Sequence, residues 1–133
     1  MININHIDHV AIVVSNLEQS ISFYVDVLGF RVIKHLKFPD RELVMLHLGD
    51  NPSSKIELLR YDATDPSIPV SSDRTLKGLR HLAFRVSNIR TTFEFLTSKG
   101  VQMIEDQPFL RQDGPPIAFG YDPDGILLEF TEL

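Results

Sequence analysis

Two histidines and two glutamates recur at one offset. "HVAIVVSNL", starting at His9, and "HLAFRVSNI", starting at His81, agree at His, Ala, Val, Ser and Asn when shifted by 72 residues, the distance from His9 to His81. The same shift carries "KIELL" (55–59) onto "LLEFT" (127–131), so that Glu57 lands on Glu129. Of the five histidines only His9 meets another: His6 falls on Gly78, His35 on Gln107 and His47 on Phe119. Asp50 also matches Asp122, but both sit in turn-like stretches where Asp serves local hydrogen bonding, and no chemistry is assigned to them. Two neutral imidazoles and two carboxylates form a donor set of intermediate hardness, suited to Zn, Ni, Co, Mn or Fe(II) rather than Ca or Cu(I). The chain has no cysteine, so a metal must be held by nitrogen and oxygen. A six-coordinate ion with four protein ligands keeps two positions for water or for two adjacent substrate oxygens.

The elements that must position these donors follow from hydropathy. Residues 8–14 alternate as a strand does, with Val10, Ile12 and Val14 on one face and His9, Ala11 and Val13 on the other. Ser15 and Glu18 form an S-x-x-E capping box, and Leu17, Ile21, Tyr24, Val25 and Leu28 recur at helical spacing until Gly29. Strand-like runs follow at 31–37, 42–48 and 55–61, divided by Pro39-Asp40 and by Gly49-Asp50-Asn51-Pro52. The second half repeats the plan: strand 79–86, helix 88–99 with Gly100 as its stop, then strands near 101–105, 116–121 and 126–132. The expectation is an α+β fold of two βαβββ modules, about 6–61 and 79–133, joined by the Pro-, Ser-, Asp- and Thr-rich linker 62–78. Strand parity puts His9, Glu57, His81 and Glu129 on equivalent faces, away from the helices. If the modules pair about a pseudo-twofold axis, within one chain or across two, the four donors converge.

Composition narrows the partners. Thirteen Lys and Arg against eighteen Asp and Glu leave a charge of −5, which argues against nucleic acid. No apolar run approaches the roughly 20 residues of a membrane span, and a cytoplasmic protein acting on a small molecule is expected. Arg85 shares the His81 face and Tyr61 the Glu57 face; a rim ion pair and a core-closing ring are their ordinary readings. Arg74, Lys77 and Arg80 read as a solvated charge run that could meet an acidic ligand. Met45, Phe109, Phe119 and Phe130 read as core.

The segments "IDHVAIVVSNLEQSISFYVDVLGF", "KIELLRY", "GLRHLAFRVSNI" and "YDPDGILLEF" resemble the vicinal oxygen chelate superfamily, which includes glyoxalase I, methylmalonyl-CoA epimerase, extradiol dioxygenases, and the fosfomycin and bleomycin resistance proteins. The resemblance spans nearly the whole chain. It implies paired βαβββ modules curling into a barrel-like mixed sheet with helices outside, a divalent metal on His9, Glu57, His81 and Glu129, and a homodimer. The His, Glu, His, Glu order is similar to bacterial-type glyoxalase I; "GLRHLAF" and "IAF" look closest to the epimerase, whose second ligand is typically Gln where this chain has Glu57. The implied activity is that of a metal-dependent lyase or isomerase, moving a proton at a carbon next to a carbonyl with Glu57 or Glu129 as base and acid, and with glutathione or another thiol as co-substrate. The competing readings are an α-substituted acyl-thioester epimerase, an Fe(II) dioxygenase using His9, His81 and Glu129, and a metal-free ligand-binding module.

Overall fold

Alternating apolar residues build the first unit, which runs to Ile68; the second begins at Pro69. The structure is a computed structural model describing residues 1–132. In the first unit β1 (His9–Val13), β2 (Phe30–Lys37), β3 (Arg41–Leu48) and β4 (Asn51–Tyr61) form a mixed sheet in the order β1-β4-β3-β2. The parallel β1–β4 pair needs a long crossover, and helix α1 (Leu17–Ser22), continued by a π-helical turn over Phe23–Val27, begins it. One face of this sheet carries the core. Ile12, Val44, Leu46, Ile56 and Leu58 are buried there, and Leu17 and Tyr24 are the buried apolar side chains of the helical segment. Tyr24 meets the Phe30 ring edge-on at 5.9 Å.

Helix α1 starts differently from the capping box expected of Ser15 and Glu18. Asn16 is the N-cap, in extended conformation, and its side-chain oxygen accepts from the Gln19 N–H at 3.0 Å. Asn88 does the same for α2 (Ile89–Ser98), accepting from the Thr91 N–H. The 72-residue shift aligns the two asparagines, and the residue in extended conformation at the helix start takes the capping role. Gly29 and Gly100, at φ +82° and +78°, lie just beyond the helical segments, where a left-handed residue redirects the chain.

In the second unit β5 (Leu82–Val86), β6 (Ile117–Tyr121) and β7 (Leu127–Glu132) form a three-stranded sheet in the order β5-β7-β6, with Ile89, Leu96, Ala118, Leu128 and Phe130 buried. The strand expected near 101–105 is absent. Residues 101–104 lie beside β6, with Ile104 N–H donating to Phe119 O and Tyr121 N–H to Gln102 O, but the pairing amounts to a single bridge, Met103 to Gly120. The chain bends over Ile104–Gln107 and touches β6 again only at Phe109–Ile117, past Pro108. A Cβ at Gly120 would stand 2.8 Å from the Met103 sulfur, so glycine admits this close approach.

Register shows where the repeat is strict. Val10–Ile56, Ala11–Glu57 and Ile12–Leu58 in the β1–β4 pair become Leu82–Leu128, Ala83–Glu129 and Phe84–Phe130 in the β5–β7 pair, an offset of 72 on both strands. The third strand does not keep it. Met45 lies opposite Glu57 and Phe119 opposite Glu129, an offset of 74, so His47 is matched by Tyr121 rather than by Phe119. Among the described residues no helix is long and apolar enough to cross a membrane.

At the far end of the first sheet Glu42 accepts from His35, with Lys37 and Arg60 within 4.0 Å of its carboxylate. The His35 hydrogen bond, helped by these cations, draws the Glu42 carboxyl below its ordinary 4.5. A depressed carboxyl contributes stability that is full above its unfolded value and is lost as pH falls. Wild-type protein is therefore expected to exceed Glu42→Gln in denaturation stability above pH 4.5, and the two curves to converge in more acid solution. Leu58 and Leu128 are both fully buried, one in each unit. Leu58→Ala and Leu128→Ala are each expected to cost about 2–5 kcal/mol in chemical denaturation.

Candidate metal centre

The strict part of the repeat is the part that carries the donors. In each module the first strand runs parallel to the last, and an alanine, Ala11 or Ala83, stands directly across from a glutamate, Glu57 or Glu129. The neighbours of each glutamate along its strand, Ile56 and Leu58 or Leu128 and Phe130, are buried in the core, so the carboxylate projects from the opposite face. Two residues before each alanine comes the histidine. His9 opens β1, and His81 immediately precedes β5. The small alanine leaves the imidazole a path to the carboxylate.

The two pairs differ in detail. His9 Nε2 lies 3.8 Å from Glu57 Oε2, beyond hydrogen-bond length. His81 Nε2 lies 2.7 Å from Glu129 Oε2. Both carboxylates are largely covered, at 18% and 13% side-chain exposure. A divalent ion bound to one imidazole nitrogen and one carboxylate oxygen spaces them about 3 to 3.4 Å apart. Separations of 3.8 and 2.7 Å straddle that range, so small side-chain movements fit either pair to an ion. Among the described residues no three His, Asp or Glu side chains gather as a metal-holding group; the donors come as one pair per module.

Behind His9 stands a residue the sequence reading passed over. Asp8 Oδ2 accepts from His9 Nδ1 at 2.7 Å, and its Oδ1 accepts from Lys55 Nζ at 2.9 Å. These bonds, His9 first, hold the Asp8 carboxyl at about 2. Strand parity would turn Asp8 away from His9, but β1 begins only at His9, and the residue before a strand is not bound by its alternation. The available signal was the placement of an acid beside a candidate ligand.

Several apolar and charged residues occupy other places than expected. Phe130 is core, whereas Phe119 lies across from Glu129, meeting the His81 ring edge-on at 5.8 Å and stacking on Phe109 at 6.3 Å. Met45, likewise, stands across from Glu57. All three read as core because their segments are strand-like, yet a strand's second face also takes apolar side chains where it surrounds a site. Tyr61 is exposed rather than closing the core, and Arg85 is exposed with no ion pair among the described residues. Arg74, Lys77 and Arg80 are exposed as well, with Arg80 donating to the Arg74 carbonyl. Asp122 is buried at 4% exposure and accepts from the Asp124 and Ile126 N–H groups, while Asp50 is exposed and 3.7 Å from Arg31. Asp50 lies in a turn and Asp122 at the start of one.

Comparisons with known proteins agree with this architecture. YwkD of Bacillus subtilis is 38% identical over 130 residues, covering 95% of each chain. A lactoylglutathione lyase of Haemophilus influenzae is 30% identical, covering 93% of this chain and 90% of its own. The mitochondrial methylmalonyl-CoA epimerase of the mouse is 29% identical, covering 97% of this chain and 74% of its own. Among solved structures, a glyoxalase family protein from Enterococcus faecalis superposes with a TM-score of 0.82 at 33% identity, over 96% of this chain and 97% of that one. The family model for the glyoxalase/bleomycin resistance protein/dioxygenase superfamily matches residues 6–130, and the chain belongs to that superfamily.

Proposed function

We propose that the chain is a metal-dependent lyase or isomerase of the glyoxalase I type, with His9, Glu57, His81 and Glu129 as its ligands. The observation that carries this reading is the His–Ala–Glu arrangement repeated in the same parallel register in both modules. A divalent ion such as Zn, Ni, Co, Mn or Fe(II) supplies positive charge to adjacent substrate oxygens, which makes the neighbouring C–H more acidic. The chain's own residues do the rest. His9 and His81 hold their places as neutral imidazoles, donors that add no charge. Glu57 or Glu129 accepts the proton from carbon and returns it to the adjacent carbon, a role that needs a carboxylate free to shift by an ångström or so. Apolar side chains beside the carboxylates, Met45 and Phe119, keep water from the proton in transit.

The substrate proposed first is the hemithioacetal of methylglyoxal with a thiol such as glutathione; similarity to the Haemophilus influenzae lyase supports it. A second reading, epimerisation of an α-substituted acyl thioester, is favoured by similarity to the mouse epimerase over 97% of this chain. The stretch from Arg74 to Phe93 supports an anionic substrate in either case, since it holds Arg74, Lys77, Arg80, Arg85 and Arg90 and no Asp or Glu. We place the protein in the cytoplasm as a homodimer. Catechol cleavage with Fe(II) and metal-free ligand binding are the readings left standing if the test below finds the protein inert, not readings the geometry favours.

Purified protein is stripped with a chelator, reloaded with each metal in turn, and offered the hemithioacetal, followed by ultraviolet absorbance, and an acyl thioester, followed by exchange of its α-proton with deuterated water. Activity toward one of them is expected, lost on stripping and restored by a metal. Glu57→Gln or Glu129→Gln is expected to lower kcat by about 10²- to 10⁴-fold in the one that moves the proton. Inertness toward both substrates with every metal overturns the proposal.

A further inference from the structure

The two half-sites repeat each other at His, Ala and Glu but not in what stands behind the imidazole. In the first, Asp8 bridges His9 Nδ1 and the Lys55 ammonium, at 2.7 and 2.9 Å. At the 72-residue offset Asp8 becomes Arg80 and Lys55 becomes Leu127, so the second module has neither group. His81 is steadied instead by Glu129 on its Nε2 and by the edge of Phe119. An ionised carboxylate only accepts hydrogen bonds, so the proton of neutral His9 belongs on Nδ1 when Asp8 holds it. That leaves a lone pair on Nε2, the nitrogen facing Glu57.

We propose that Asp8 is a positioning residue: it fixes His9 in the Nδ1–H tautomer with Nε2 turned toward Glu57, and Lys55 holds Asp8 in place, so that the first half-site is preorganised for a metal by a device the second lacks. The metal-binding consequence rests on the ligand assignment proposed above; the tautomer does not. A carboxylate behind a ligating imidazole fixes ring orientation and raises the basicity of the ligating nitrogen. Lys55 lies opposite His9 in the strand register and ties the carboxylate to β4, the strand that carries Glu57, so the imidazole and its partner glutamate are referred to the same backbone.

The test has two arms. Nitrogen-15 NMR of the metal-free protein at about pH 8, where imidazoles are neutral, reads the tautomer directly. Wild type is expected to show His9 protonated at Nδ1. Asp8→Ala should shift the proton toward Nε2, and Asp8→Asn, whose amide oxygen still accepts, should largely retain it. Chelator competition with Zn²⁺ or Ni²⁺ then reads affinity. Asp8→Ala is expected to weaken binding by about 10- to 100-fold, with Arg80→Ala close to wild type and the denaturation midpoint of metal-free Asp8→Ala little changed. An Nε2–H imidazole at His9 in wild type, or unaltered metal affinity in Asp8→Ala, overturns the inference. Wild-type protein that binds neither metal overturns the ligand assignment and the metal-binding consequence together, while the NMR arm still decides whether Asp8 sets the tautomer.

Discussion

The candidate site depends on one constraint: in each module the last strand returns parallel to the first, in a fixed register. Parallel neighbours cannot be joined by a tight turn, so the chain must travel out through a helix and come back, and the residues that end up side by side are far apart in sequence. Ala11 meets Glu57, and Ala83 meets Glu129. A slip of one residue would exchange the two faces of the strand, sending Glu57 into the core and Ile56 or Leu58 out of it. The buried leucines and the carboxylates are thus held by the same register. Hydrophobic burial on one face is what makes the other face's geometry reproducible.

This coupling explains which parts of the molecule were legible in the sequence. Duplication was visible because strands with a buried face tolerate few substitutions, and the first and last strands of each module keep a 72-residue offset. The third strand drifted to 74, since antiparallel hairpin partners can absorb a change in turn length without disturbing the parallel pair. No composition signal marks such a slip, and His47 was matched to the wrong residue for that reason. The segment 101–105 failed as a strand for a different cause. Its apolar content suits an extended chain, but ladder formation depends on the path beyond it, and the bend over Ile104–Gln107 ends the pairing after one bridge.

At the scale of single side chains the sequence was less informative. Ser15 and Asn16 are both good capping residues, and the choice between them lies in which backbone unit is extended at the helix start. Phe119 and Met45 are half-buried apolar side chains opposite the glutamates, and hydropathy alone could not separate them from the core residues that alternate with them. Asp8 was hidden by a rule applied one residue too far. Alternation governs residues inside the ladder, and the side chain just before it is placed by its own contacts, here His9 and Lys55.

Charge explains why a duplicated site need not stay symmetrical. Two glutamates balance a divalent ion, so under the proposed ligand set the centre is close to neutral before substrate arrives. Adding an uncompensated carboxylate behind one histidine would make it anionic and would oppose the negative charge that develops on a substrate during proton abstraction. Lys55 removes that conflict by pairing with Asp8 at 2.9 Å, leaving the orienting hydrogen bond in place while cancelling its formal charge. The second module keeps a cation, Arg80, where the first has Asp8. The same sequence position thus carries a carboxylate bonded to the neighbouring histidine in the first module and, in the second, a guanidinium that donates to the Arg74 carbonyl.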